Sequence, residues 1–402
     1  MDAFIVISLI KVAVVFAVLL TTLAYLQWVE RKVIAHIQVR PGPYNVGPHG
    51  LLQPLADVIK LITKEDLRPP FAHKALFLAA PFMAMTLALM SICVIPFGPV
   101  IHLGRVPTWM QLTDLNIGVL FVLAVSSMGV YGVAFAGWAS NNKYALLGGL
   151  RSSAQMISYE LPLSIAIASP LLLSNTLSLR KLVESQAGGM WHWNVLRGPF
   201  PQVFSFIIFL IAAFAETNRI PFDLPEAENE LVAGFHTEYS GFRWALYFLA
   251  EYANIFVVSS VAVTLFWGGW LRPFPSVKWL DFAFNVGFPV ILFVASGLLT
   301  LTLVKKLRDP MQQKVLVGAA VLLILMAGFF VIPAINAPVS GMFWFLFKVA
   351  IILYTLIWFR GTFPRFRYDQ LMNIGWKIAI PVGMAAVVIN ALLGMIGPVK
   401  GA

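Results

Sequence analysis

Cysteine is almost absent from this sequence: its 402 residues hold a single one, Cys93, inside an apolar run. One thiol excludes a disulfide within the chain and any cluster ligated by several of its own cysteines. Charge is scarce as well, at 11% of residues. There is no GxGxxG or GxxxxGK[ST] loop to cradle a phosphate, and the six histidines show no paired metal-ligand spacing. No internal repeat stands out, which argues against a stand-alone secondary transporter built from repeats around a midplane site. The opening MDAFIVISLIK lacks a basic n-region, and Glu30, Arg31 and Lys32 follow the first apolar run in place of a cleavage site, so this run reads as a retained span.

What is abundant is apolar surface. Hydrophobic residues make up 59% of the chain, against roughly 45 to 50% in soluble domains. The expected fold is an all-α polytopic membrane protein, a single transmembrane domain over 1–402. Runs near 4–26, 76–97, 116–139, 155–174, 200–216, 242–267, 281–304, 315–336, 342–360 and 376–397 predict about ten membrane-spanning helices, each needing about 20 residues. With both termini outside, the inside loops carry nineteen Lys and Arg and the outside loops seven, which sets the orientation. The same short basic loops account for the formal net charge of +10 without nucleic acid as a partner.

Two inside loops carry the information. The first, 27–75, contains RPGPYNVGPHG from Arg40, a string of turn formers. It then puts Leu51, Leu55, Val58, Ile59 and Ile62 on one helical face between Gly50 and Pro69. Such an amphipathic helix is too short to span, and it lies in the membrane interface or packs on other protein. The second loop, 216–241, is acidic in a basic chain: from Glu216 to Arg243 the local formal charge is −4. Asp223 and Glu226 stand at capping-box spacing around Pro225, predicting a short helix start. Glu226 and Glu230 then share a face at i and i+4, where like charges repel. A solvated loop is one reading. Ile220, Pro221, Phe222, Leu224, Leu231, Val232 and Phe235 favour the other, a packed segment that serves as a proton or cation site.

Ionisable groups inside spans cost about 2.5 to 3.5 kcal/mol each on insertion scales and need a partner, water or neutralisation. Glu160 lies in RSSAQMISYELPL, where Pro162 is expected to break the helix ladder and leave a polar half-helix beside a hydrated cavity. Glu251 has Tyr247 one turn before it and Asn254 one turn after, and Glu216 closes the fifth span. Lys11 is expected to snorkel, whereas Lys348 sits mid-span among aromatic residues. Arg31 stands beside Glu30 as a possible counter-charge. No catalytic or metal-binding residue of the chain's own emerges.

The runs ERK at Glu30, GLLQPLADVIKLITKE from Gly50, RSSAQMISYELP from Arg151, AETNRIPFDLPEAENELVAGFHTEYSG from Ala215, AEYAN from Ala250 and RGTFPRFRYDQLM from Arg360 closely resemble the H-type membrane subunit of respiratory complex I, the proton-pumping NADH:quinone oxidoreductase. The similarity runs in order over nearly the whole chain. It implies a quinone chamber enclosed between the inside loops and iron-sulfur-bearing partner subunits, with a carboxylate path leading into the membrane. Residue by residue, Glu30, Arg31 and Arg40 match the chamber entrance. Glu216, Arg219, Asp223, Glu226, Glu228 and Glu230 match the acidic loop beneath the chamber, and Glu160 and Glu251 match the buried path, so that Glu216 at the membrane edge is read with them as the expected proton path. The resemblance further implies quinone as substrate, no cofactor on this chain alone, and NADH, FMN and iron-sulfur clusters in partner subunits. Those partners are the iron-sulfur-bearing and quinone-site peripheral subunits, small adjacent membrane subunits and membrane lipid. The expected location is an energy-coupling membrane, the bacterial cytoplasmic (inner) membrane. Two features depart from the family pattern: Tyr44 and Asn45 stand where the loop usually has Asn and a basic residue, and the hairpin 281–336 adds two spans to the usual eight. An equivalent component of a membrane-bound hydrogenase-type complex is the alternative from the same lineage.

Overall fold

The computed structural model describes residues 2–103, 106–197, 202–223, 232–304 and 310–396. Among them, nine helices are long and apolar enough to cross a membrane, and a tenth apolar helix, Val203–Glu216, is shorter. The expected all-α polytopic fold is the observed one. An antiparallel pair, β1 (Gly98–Leu103) and β2 (Val106–Met110), is the departure from helix among these residues.

Helix length decides where the polar ends go. α1 (Asp2–Ile37) has 36 residues, about 54 Å at 1.5 Å per residue, against a hydrocarbon core of about 30 Å. Its inside end therefore carries Glu30, Arg31 and Lys32 beyond the apolar layer on a rigid rod. After it come α2 (Gln53–Thr63), α3 (Lys74–Ile92), α4 (Gly118–Ala139) and α5 (Lys143–Ser174). The short α6 (Leu179–Glu184) follows, and α7 (Val203–Glu216) and α8 (Gly241–Phe266) complete the body.

α5 corrects the sequence reading twice. It begins at Lys143, capped by the Asn142 side chain, which accepts a 2.9 Å hydrogen bond from the Tyr144 N–H, and so it absorbs the stretch taken as an inside loop. It also runs unbroken through Pro162 and Pro170. A proline removes one backbone hydrogen bond, and neighbouring helices compensate for that loss inside a membrane protein. The approach is close at Gly148, where a Cβ would come within 2.6 Å of the Gly234 backbone. The loop before α8 thus lies flush against α5.

α2 is shorter than expected because the chain is extended from Lys64 towards Pro69 and Pro70. Leu55, Val58, Ile59 and Ile62 are exposed, while Pro54 and Asp57 are buried against α1. The apolar stripe therefore faces away from this chain, towards lipid or another subunit.

The last four helices are α9 (Lys278–Val304), α10 (Pro310–Val331), α11 (Pro333–Thr362) and α12 (Tyr368–Leu392). α9 and α10 pack on each other. They join the body through Phe288, which stacks on Trp344 at 5.8 Å, and Phe330, which meets Phe343 edge-on at 5.4 Å. Lys348 of α11 is buried and does not snorkel. Its ammonium donates to the carbonyls of Trp267, Gly269 and Leu271 at 2.8, 3.0 and 2.7 Å and sits 3.9 Å from the Trp193 ring centroid, capping the end of α8. Lys11 donates to the Trp109 carbonyl at 3.0 Å on the outside.

Candidate functional site

The C-terminal end of α1 places Glu30 in a charge cluster. Arg219 Nη1 donates to Glu30 Oε1 at 3.0 Å, with the two side chains only 7% and 6% exposed. Arg360, from the end of α11, pairs with the same Glu30 oxygen, and Arg219 also pairs with Glu251 of α8. Among the described residues, two arginines thus face two glutamates. The Arg219 guanidinium lies 4.4 Å from the Tyr252 ring centroid, a cation–π contact that fixes its plane. What aims Arg219 inward is the turn after α7. Asn218 adopts a left-handed conformation (φ 50), which asparagine tolerates, and donates to Ser152 Oγ at 3.0 Å.

Arg31 does not neutralise Glu30. It turns to α2 and pairs with Asp57 at 2.8 Å, and Asp57 is also met by Gln53 at 3.0 Å and Lys60 at 3.6 Å. The reason is helical geometry: neighbours in sequence point about 100° apart and do not face each other. Arg40 is exposed and lines an open cavity of about 720 Å³ together with Glu30, Arg31, Tyr252 and Arg360. A second cavity of about 220 Å³, between α1, α2 and α8, is mostly apolar and shares Arg31, Phe248 and Tyr252 with the first.

Asp223 is buried, and Arg365 reaches it at 3.6 Å. Phe366 stacks on Phe222, with centroids 5.5 Å apart, and its N–H donates to the Pro221 carbonyl at 3.0 Å. The loop after α11 therefore clasps the start of the acidic segment. Arg360 and Arg365 were not among the sequence-predicted site residues. Their signal was present, since RGTFPRFR is a basic run of the sign the acidic segment needs. Glu226, Glu228 and Glu230, and the helix start expected around them, lie outside the described residues.

Deeper in, the consecutive serines of α4 hold two of the half-buried carboxylates. Ser126 donates to Glu216 Oε1, and Ser127 donates to Glu160 Oε1. The other oxygen of Glu216, Oε2, is buried with no hydrogen-bond partner among the described residues. Glu216 and Glu251 line one cavity of about 70 Å³ along with Asn218, Tyr247, Asn254 and His236. Burial lowers the pKa of His236 to about 4, so the ring is neutral at physiological pH. His236 is a further polar group that sequence reasoning passed over. The structure brings Glu160, Glu216, Glu251, Arg219 and Glu30 into one succession, ending at the open cavity beside Arg40.

A family model described as NADH dehydrogenase matches residues 10–391 of this chain. The first of two H-type NADH-quinone oxidoreductase subunits from Solibacter usitatus (strain Ellin6076) is 64% identical over 98% of both chains. Its counterpart from Koribacter versatilis (strain Ellin345) is 48% identical over 96% of this chain and 91% of its own. The chain belongs to the family of H-type NADH-quinone oxidoreductase subunits. It is thus an H-type membrane subunit of complex I. Because the 64% identical relative matches 98% of both chains, the α9–α10 hairpin falls within length that the two share.

Proposed function

We propose that this chain forms the membrane side of the quinone chamber of an NADH-quinone oxidoreductase and couples quinone reduction to proton translocation through its buried carboxylates. The observation that carries the reading is the state of Glu216. One oxygen accepts from Ser126, the other is buried without a partner among the described residues, and the group lines a cavity shared with Glu251. A carboxylate so placed is neutral, or it holds a water; either condition suits a proton carrier.

The open cavity at Glu30, Arg31, Arg40 and Arg360 supplies cations for a quinone headgroup, and the apolar cavity against α2 supplies a way in from the bilayer. Quinone reduction takes up two electrons and two protons. The electrons come from partner subunits carrying NADH-oxidising FMN and iron-sulfur clusters, since one cysteine cannot ligate a cluster. Negative charge arriving near Arg219 and Arg360 competes with Glu30 and Glu251 for those two guanidiniums. A glutamate that loses its arginine gains affinity for a proton, and this is how chemistry in the chamber is passed to Glu251 and then to Glu216. Asp223 supplies protons beside the chamber, a role that the resemblance extends to Glu226, Glu228 and Glu230 of the same acidic segment. The neighbours in this scheme are the iron-sulfur-bearing and quinone-site peripheral subunits and small adjacent membrane subunits, in the bacterial cytoplasmic (inner) membrane. The α9–α10 hairpin is peripheral to this route and faces lipid or an accessory partner.

The test is Glu216→Gln and Glu160→Gln in the assembled complex, with NADH:quinone electron transfer and proton translocation measured in sealed vesicles. Both activities are expected to fall together. Normal electron transfer with normal pumping in both variants refutes the coupling role.

A further inference from the structure

Glu216 faces a second cavity besides the one it shares with Glu251. This one has about 40 Å³ of space, enough for about three waters at 10 to 15 Å³ each. Its floor is polar, made by Ser126, Glu216, Thr217 and Asn254. Above the floor the walls change character. Val122 of α4, Leu163 and Ile167 of α5, and Val257 and Val261 of α8 carry the cavity towards the outside. From Asn254 to Val261 the climb is seven residues, about 10 Å along the helix.

The far end lies at the outside ends of three elements. Ser91 is the next-to-last residue of α3, Val119 the second of α4 and Leu179 the first of α6. The Ser91 hydroxyl is turned back onto its own helix, donating to the Leu87 carbonyl at 3.3 Å. α6 closes the end through Leu179, with Leu182 and Val183 of the same helix buried in the core beside it. Arg180, on its outer face, pairs with Asp114 at 3.1 Å and with Glu184 at 3.7 Å. Little but apolar wall therefore separates the inside-facing carboxylate from the outside face.

Above the polar floor the apolar part of this cavity offers water no hydrogen-bond partners, so it stays dry even where water reaches Glu216. A dry gap also stops protons, which need water or a titratable group at each step, and hydrophobic constrictions in channels close on the same principle. We propose that the valine-lined cavity above Glu216, roofed by α6, is the outer insulating gate of this site. It keeps Glu216 from exchanging protons with the outside while that carboxylate communicates with Glu251. This rests on the proton-carrying reading of Glu216. A wetted gate would connect the carboxylate to both faces and short-circuit the gradient that the complex builds.

The experiment makes the wall polar. Val122→Ser and Val261→Ser, singly and together, remove apolar volume and add hydroxyls; Val122→Thr with Val261→Thr keeps the volume and guards against a packing defect. Assembled complex in sealed vesicles is assayed for NADH:quinone electron transfer, for the steady proton gradient, and for passive proton flux after an acid pulse with turnover stopped. The double serine variant is expected to keep electron transfer within about twofold, lose roughly half or more of its gradient, and raise passive flux about fivefold. Val125→Ser, buried on α4 but off the cavity, is expected to keep its gradient. Adding Glu216→Gln to the double variant is expected to abolish the leak. Assembled serine and threonine variants with unchanged passive flux overturn the gate, as does a leak that survives Glu216→Gln. Normal pumping by Glu216→Gln alone is a separate result, which removes the carrier role and leaves the passive-flux measurement to report on the wall itself.

Discussion

Arg219→Gln is the most informative single perturbation of the charge cluster. The side chain is 7% exposed and serves two carboxylates, Glu30 and Glu251. Removing it leaves Glu30 on Arg360 but takes the arginine from Glu251, so the cluster, counted over the described residues, becomes more negative by one charge. Breaking a buried pair from one side costs about 3 to 5 kcal/mol, and the remaining Arg360 contact places this case near 3. Arg360, 27% exposed, should cost less when replaced by Gln, on the order of 1 to 2 kcal/mol. Arg31→Ala should cost below about 1 kcal/mol, because Arg31 is 45% exposed and Asp57 keeps Gln53 and Lys60. Large membrane complexes inactivate irreversibly, so the assay is the half-life of quinone reductase activity in detergent at one fixed temperature. A loss of 3 kcal/mol expressed fully in the unfolding barrier is roughly a hundredfold faster inactivation. The double variant Arg219→Gln with Glu251→Gln restores the balance and should recover at least half of that loss. If Arg219→Gln is no less stable than Arg31→Ala, or if the double variant recovers nothing, the cluster does not hold the inside face together.

Two other outcomes follow from buried polar groups. Burial lowers the His236 pKa from 6.5 to about 4, so between those values the unfolded state binds the extra proton. The stability this group contributes is complete above pH 6.5 and declines towards pH 4 by about 3 kcal/mol in all, roughly 1 of it by pH 5.5. His236→Asn should therefore flatten the difference between half-lives measured at pH 7.5 and 5.5, and an unchanged difference would count against a neutral buried ring. Lys348→Met leaves the carbonyls of Trp267, Gly269 and Leu271 without their donor, at about 1 to 3 kcal/mol for each acceptor left unsatisfied. The assembled complex should lose thermal half-life with little change in electron-transfer rate at low temperature, and a half-life equal to that of the parent would show that water replaces the ammonium.

The ladder of spans was legible because an apolar run of about 20 residues has few other uses. What hydropathy could not supply was the continuation of a helix beyond the apolar layer. The first turns of α5, from Lys143 to Arg151, look like a charged loop in composition yet are helix. Pro162 misled for a related reason: its local penalty is fixed, but the compensation comes from neighbouring helices that no sequence window contains.

The cluster around Glu30 was half legible. A segment carrying −4 in a chain of +10 announces that cations must come from elsewhere in the fold. Adjacency suggested Arg31, and adjacency is the wrong measure on a helix, where consecutive side chains diverge. The true partners lie far along the chain: Arg219 is 189 residues from Glu30, and Arg360 is farther still. By charge count alone, both read as inside-loop cations that orient the protein in the bilayer. The two roles share a cause. An inside loop rich in arginine orients the chain because it stays on that face, and staying there puts it within reach of the glutamates at the same ends of α1 and α8. Orientation and site assembly therefore draw on the same residues, which is why a charge census could name the arginines of one face while only the folded geometry could assign the pairs.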